Sequence, residues 1–487
     1  MTVVLALDAG TTGVRTRAVF DDGRESISSY REFTQHFPRP GWVEHDADEI
    51  WDAMAATLAD VVSRLDQPVA AIGITNQRET VVAWDQRTGR PAARAIVWQD
   101  RRTAERCEEL APHLGLVRAT TGLVLDPYFS GTKAAWLIRN ADLPPAPHLR
   151  IGTIDTWLVW KLTGGRSFVT DPSNASRTML FDIRSMRWSD EMCSLIGVPK
   201  DALADVMPSS ARYGTTVDVP GVPDGIPISG IAGDQQSALF GQVCTEPGMA
   251  KNTYGTGSFI LLNVGTECPA PTEGMLTTVA WDLGDGAPVY ALEGAVFVTG
   301  AAVQWLRDGL GIISSSDEVG PLAYSVPDSG GVYVVPAFTG LGSPWWDPWA
   351  RGTIVGITRG TTRAHIARAV VDAMVFQTRD AIDAMTAAGG TRLAELRVDG
   401  GASVMDDMLQ HQADELGVPV LRPTDHETTA LGAAYLAGLA EGVWADTAEI
   451  ASMWRLDRRF EPRERNGRHG QWLRAVERSR NWADSVD

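Results

Sequence analysis

The sequence predicts an α/β protein of two halves with a cleft between them. Short apolar runs suited to strands alternate with amphipathic stretches suited to helices through residues 1–240. A strand, a Gly/Thr tip and a returning strand open the chain and recur about 240 residues later, so each half begins with the same unit. Between the halves, Ile226–Gly241 places Asp234 where a buried apolar strand meets a helix start. An α/β fold puts its chemistry at such a junction.

Taken in order, Val3–Leu7 and Thr16–Phe20 read as the arms of the first hairpin around Asp8-Ala9-Gly10-Thr11-Thr12-Gly13. Asp46 starts a helix, with Glu49 three residues on and Trp51, Met54, Leu58 and Leu65 as its apolar stripe. Strands are expected at Val69–Ile74, Val81–Trp84, Ala95–Trp98 and Ile226–Ile231. The second hairpin runs from Ala250 to Asn263 around Gly255-Thr256-Gly257. With no low-complexity linker near Gln242–Gly248, the halves should pack closely and move as hinged bodies. The tail beyond about Arg458 is charged and is expected to be only partly ordered.

Net charge is −18, which argues against nucleic acid or an anionic membrane as partner, because both demand basic patches. An anionic substrate must instead be met by a few placed cations or by backbone amides. The four cysteines lie far apart and form no metal-ligand cluster. The N-terminus enters a strand without a basic leader, and no apolar run is long enough to cross a bilayer, so a soluble cytoplasmic protein is expected.

Each Gly/Thr tip offers N–H groups and hydroxyls with little bulk, which suits wrapping a phosphate; each alone equally suits an ordinary turn. Arg15 could add a cation, and Asp8 could hold Mg²⁺ through water or simply close an Asx-turn. No P-loop sequence occurs. Asp234 could take a proton from a substrate hydroxyl, with Gly233 letting a second molecule approach; its alternative is helix capping. In extended chain, Arg78 and Glu79 would point to opposite faces and pair better with a third polar group than with each other. Val398–Ala402 offers exposed backbone for a flat ring, whereas Leu431-Gly432-Ala433-Ala434 reads as helix packing. Trp98 and Tyr128 place aromatics near two further loops.

Two longer patterns then resemble a known family. One runs from Tyr128-Phe129-Ser130-Gly131-Thr132-Lys133 to Asn140; the other from Gly352-Thr353-Ile354 through His365-Ile366 to Asp372. These are similar to the signatures of the FGGY carbohydrate kinases. FTQHFPRPGWVEHD, ITNQRET, IVWQDRRT, NASRTML, PISGIAGDQQ, AKNTYGTG, YALEGAVF and VVPAFTGLG resemble, in particular, members that phosphorylate glycerol.

The resemblance implies two actin-like (ribonuclease H-like) domains, 1–243 and 244–487, closing over ATP and a small polyol. It implies a glycerol site of Arg78, Glu79, Tyr128, Asp234 and Gln235 walled by Trp98 and Phe259, with Asp234 as the base. ATP or ADP would lie on Thr11, Thr12, Arg15, Thr256, Gly257, Gly300, Gln304 and Gly401, with Mg²⁺ on Asp8 and Asp234. A homodimer or homotetramer is a further implication. The alternatives are a kinase for another short polyol or ketose and, from another class, a non-catalytic actin-like ATPase or sugar sensor.

Four positions depart from the family pattern. Ala9 replaces a usual Gln, Gly13 and Val14 replace serines, and Met405 replaces the Asn expected near adenine. Residues 213–225 also lack the Arg and the His through which some members respond to fructose 1,6-bisphosphate or to a phosphocarrier protein.

Overall fold

The structure is a computed structural model describing residues 2–465 and 467–483. The opening apolar runs form β1 (Val3–Ala9) and β2 (Gly13–Phe20), paired antiparallel with Asp8 opposite Arg15. β3 (Ile27–Glu32) extends the sheet beyond β2. On the other side β1 pairs in parallel with β4 (Val69–Asn76), and β4 with β5 (Pro227–Gly233). β1 and β4 are apolar almost throughout because both faces of this sheet are covered.

α1 (Ala47–Ser63) returns the chain from β3 to β4. Asp46 caps it by accepting from the Asp48 and Glu49 N–H groups, and Ile50, Met54, Leu58 and Val61 are its buried stripe. Leu65, expected on that stripe, lies beyond the last helical residue. Ala95–Ile96 is the paired part of the run expected to reach Trp98.

β6 (Met249–Tyr254), β7 (Ser258–Gly265), β8 (Val289–Val296), β9 (Glu395–Gly400) and β10 (Val420–Pro423) build the second sheet. Its order β8-β7-β6-β9-β10 copies β3-β2-β1-β4-β5 of the first, with the same two antiparallel and two parallel pairings. The duplication inferred from the hairpins therefore extends to whole sheets.

α2 (Asp234–Gly241) follows β5, and α3 (Thr428–Ala440) follows β10. α3 belongs to the second half in sequence but packs on β1, β4, β5 and α2. A Cβ on Gly73 would fall 2.0 Å from the Ala433 carbonyl oxygen, and one on Gly432 would fall 1.8 Å from that of Ser237, so α3 touches the backbone at both places. Gly432 is a packing residue, as its small neighbours suggest. Ala430, Ala433, Ala434 and Ala437 share one buried cluster with Val4, Ala6, Ala71 and Ala232, a core common to both halves.

The C-terminal tail differs from expectation. Leu456–Phe460 adds a strand to the second sheet, and His469–Ser479 is a helix. That helix is seated by buried Trp472, whose indole N–H donates to Asp380 at 2.7 Å. Its apolar positions are spaced for one face, which overrides the charge around them. Residue 466 and residues 484–487 of the expected partly ordered tail lie outside the described residues.

Candidate active site

The residues expected to bind a polyol converge where β4 and β5 end side by side. The turn after β4 carries Arg78 and Glu79, only 2% and 1% exposed. Glu79 has φ +63°, so the pair is not extended and does not alternate faces as expected. Each of the two nevertheless pairs with a third group: Arg177 Nε donates to Glu79 Oε1 at 2.7 Å, whereas Arg78 Nε is 3.8 Å from that oxygen.

Asp234 is the first residue of α2, and Gly233 occupies the cap position without a side-chain cap bond. The Asp234 Oδ1 accepts from the Gln235 N–H at 2.7 Å and lies 3.1 Å from Arg78 Nε. With 30% of its side chain exposed, this carboxylate faces the cleft as well as Arg78. Gly233 serves a different end from the one expected: a Cβ there would strike Arg78 Cγ at 2.6 Å, so the glycine makes room for the arginine.

Trp98, Tyr128 and Phe259 form one aromatic wall. The Trp98 ring meets Tyr128 at 5.7 Å and Phe259 at 6.4 Å, both near perpendicular. Phe259 comes from β7, so the wall spans both halves. Gln235 is held by the Lys251 ammonium, itself pulled down to about 8, chiefly by burial.

Behind these residues lies a charge network that sequence reasoning did not identify. Glu293, on β8 and fully buried, accepts from Arg177 Nη2 at 2.8 Å and from Arg78 Nη1. Burial pushes the Glu293 carboxyl up, but Arg177 and Arg78 outweigh it and hold the group below its usual range. Burial raises Glu79 more than its two arginines lower it. The available signal was the lone charge in each of ASRTML and YALEGAVF, stretches with no other charged residue, because a buried charge requires a partner.

The first hairpin tip is braced by side chains. Trp98 Nε1 donates to Thr11 Oγ1, Gln35 Nε2 to the Thr11 carbonyl and Gln77 Nε2 to the Gly10 carbonyl, each at 3.0 Å. His45 joins the two glutamines, with its ring nitrogens 2.7 Å from Gln35 and 3.3 Å from Gln77. Burial, then His36, pulls His45 down to about 4, so it is neutral and can donate to one and accept from the other. Thr12 is exposed at the tip. Arg15 is not the free cation expected, since it is paired with Glu427.

Asp8, at the end of β1, is pushed up to about 7 by burial and then by the charge of Asp234, with Arg15 working the other way. A carboxylate whose charge is disfavoured by burial and by a second carboxylate nearby suits a divalent cation. Among the described residues no group of three or more His, Cys, Asp or Glu could hold a metal. A pair fits Mg²⁺, which takes one or two carboxylates and fills its octahedron with water and phosphate oxygens.

The second tip, by contrast, is braced chiefly by backbone, with the Thr299 hydroxyl adding a bond to the Gly255 carbonyl at 3.1 Å. Thr299 N–H and Ala301 N–H both donate to the Thr256 carbonyl, and Gly300 N–H to that of Gly255, each at 3.0 Å. A Cβ on Gly300 would sit 2.6 Å from the Gly255 oxygen, and one on Gly257 2.5 Å from that of Val296. Thr256 and Gln304 are exposed beside this tip. Gly401 has open space around its Cβ position, and Met405 packs partly into the second-half core.

This arrangement agrees with the relatives of the chain. The N-terminal domain of the FGGY family of carbohydrate kinases matches residues 3–241, and the family's C-terminal domain matches residues 250–441. The chain belongs to the FGGY family of carbohydrate kinases. It is 54% identical to the glycerol kinase of Dechloromonas aromatica, over 99% of this chain and 98% of that one. Identity to the glycerol kinase of Trichlorobacter lovleyi is 55%, over 99% and 100%. The crystal structure of Plasmodium falciparum glycerol kinase with ADP superposes with a TM-score of 0.92 at 34% identity, covering 98% of each chain. The two-domain, actin-like α/β fold implied by the sequence is thus established, and with it membership of an ATP-dependent kinase family.

Proposed function

We propose that this chain transfers the γ-phosphoryl group of ATP to a terminal hydroxyl of glycerol, giving glycerol 3-phosphate and ADP. The observation that carries the reading is the convergence of Arg78, Glu79, Asp234 and Tyr128 beneath the Trp98–Phe259 wall. A short polyol needs donors and carboxylate acceptors for its hydroxyls and an apolar surface for its C–H edge. Relatives called glycerol kinase, at 54% and 55% identity over almost the whole chain, support the same substrate.

In this reading Glu79 and Arg78 grip the inner hydroxyls, and Gln235, steadied by Lys251, orients the outer end. Asp234 accepts the proton of the attacking hydroxyl, whose oxygen forms the new bond to the γ-phosphorus as ADP departs. Thr11, Thr12 and Thr256 offer hydroxyls to the phosphates, and Gly257, Gly300 and Gln304 line the second tip. Gly401, with open space at its Cβ position, would give adenine a flat backbone. Asp8 and Asp234 would hold Mg²⁺, which would neutralise charge developing on the phosphates. Arg15 reaches a phosphate by exchanging Glu427 for it. Residues 1–243 and 244–487 would act as the two closing domains.

Among the described residues no helix is long and apolar enough to cross a membrane. A cytoplasmic homodimer or homotetramer completes the proposal, and light scattering on the eluting protein measures its mass. A polyol panel with ATP, read by coupled ADP detection, tests the substrate. Glycerol should lead; erythritol or xylulose ahead by about tenfold in kcat/KM, a gap of about 1.4 kcal/mol, would overturn the assignment in favour of another polyol or ketose. No turnover of any polyol would favour an ATPase or sensor.

A further inference from the structure

We propose that Glu293 and Arg177 are positioning residues of the polyol site, and that Glu293 ties the shape of that site to the contact between the two halves. The inference rests on the polyol reading above, but its evidence is the network itself. Glu293 stands on β8, in the second half, whereas Arg78, Glu79 and Arg177 belong to the first. Each Glu293 oxygen serves a different arginine: Oε1 takes Arg177 Nη2 and Oε2 takes Arg78 Nη1. Gln236 Oε1 also accepts from Arg78 Nη1, at 3.2 Å, while Gln236 Nε2 donates to Thr278 Oγ1 of the second half at 3.0 Å. A second link across the halves thus runs beside the first.

These contacts decide what the site presents. With Nη1 committed to Glu293 and Gln236, Arg78 is left to direct Nε toward Asp234 and Nη2 toward Tyr128. Arg177 holds Glu79 Oε1, and no hydrogen bond to Glu79 Oε2 is formed among the described residues, so that oxygen remains for a hydroxyl. Arg177 is itself fixed, lying over the Phe129 and Tyr128 rings at 5.2 and 5.6 Å. Separating β8 from the first half would strip Glu293 of both arginines and leave Arg78 and Arg177 without their shared carboxylate. The polyol grip therefore belongs to the docked arrangement of the halves.

The test is Glu293→Gln, which preserves shape but has one oxygen for two arginines and turns an NH₂ group toward the other. The expected result is a rise of about tenfold or more in the glycerol KM, matched in glycerol affinity by calorimetry without nucleotide, with the ATP KM within about twofold. Arg177→Lys keeps the charge but loses the fork, and should show the same split less severely than Arg177→Met. Glu415→Gln, which disturbs another buried pair, with Arg379, should leave the glycerol KM unchanged. Glycerol KM and affinity within twofold of wild type in Glu293→Gln would overturn the inference. Equal rises for glycerol and ATP, marking general damage, would do so too. If Glu293→Gln does not fold, Arg177→Lys decides by the same split. A wild type that prefers another polyol overturns only the substrate assignment, and the split is then read with that polyol.

Discussion

The two hairpins share strand order and pairing but differ in how their tips are held. Gln35, Gln77, Trp98 and the neutral His45 hold the first tip with side chains, and Asp8 and Arg15 flank it as a register pair. Glycines, main-chain hydrogen bonds and the hydroxyl of Thr299 hold the second, with no carboxylate at the matching strand end. A duplicated scaffold has thus divided its labour. In the proposed reading the first copy supplies Asp8 and Asp234 beside the phosphates, and the second tip supplies close-fitting backbone. The departures at Ala9, Gly13 and Val14 fall on the copy whose tip has this outside bracing, so polar groups lost from the loop are offset by groups around it.

That contrast is broken most directly at Asp234. Asp234→Asn should lower kcat by about 10²-fold or more while glycerol still binds, as calorimetry would show. Retained turnover would reduce Asp234 to a helix-start residue.

Asp8 comes next, because its value near 7 links function to stability. A folded value raised above the ordinary 3.8 means that folding favours the protonated acid, so this contribution to stability is complete below about 4 and is lost as pH rises through about 7. Ligand-free Asp8→Asn should therefore melt above wild type at pH 8, with a gap that narrows below pH 7 and closes toward pH 4. Its activity should fall at least about tenfold, the scale of one lost charge-assisted contact. In wild type, activity at limiting Mg²⁺ should fall as pH drops through about 7, and added Mg²⁺ should restore it. A flat Mg²⁺ requirement between pH 6 and 8 would separate Asp8 from the metal.

On the second hairpin, Gly300→Ala sets a methyl against the Gly255 carbonyl. It should raise the ATP KM several-fold and leave the glycerol KM alone; a change in the glycerol KM instead would deny the division. Met405 offers no specific hydrogen bond to a purine edge, so GTP or ITP should serve within about 1–2 kcal/mol of ATP, the scale of one missing hydrogen bond. Strict ATP dependence would show that another group reads the base. The smallest expected effect is none. Residues 213–225 carry Asp218 and Asp224 and neither Arg nor His, so millimolar fructose 1,6-bisphosphate should not inhibit. Saturable inhibition at constant free Mg²⁺ would contradict that.

Both hairpins, α1 and the Asp234 junction were legible in the sequence because each is written in a short stretch: a period, a cap or a glycine tip. The partners of Arg78 were not. A lone Glu293 in an apolar run announces a buried ion pair, yet nothing local points to an arginine 215 residues away. The left-handed backbone at Glu79 was hidden for a related reason, since a non-glycine residue takes such a conformation only when its surroundings impose it. Arg15 read as free because Glu427 is distant in sequence. The tail misled in the opposite sense, its charges masking the spacing that seats Trp472.

The place of α3 has a consequence for how the chain is made. Ala71 and Ala232, on the face of the first sheet that α3 covers, are complete once residue 241 has been synthesised, but their covering helix is encoded only at Thr428–Ala440. At translation speeds of about 5–20 residues per second, the roughly 200 intervening residues leave that apolar face uncovered for about 10–40 s on every ribosome. Through that interval the apolar face of the nascent first half is exposed, and its last layer arrives from the far end of the message.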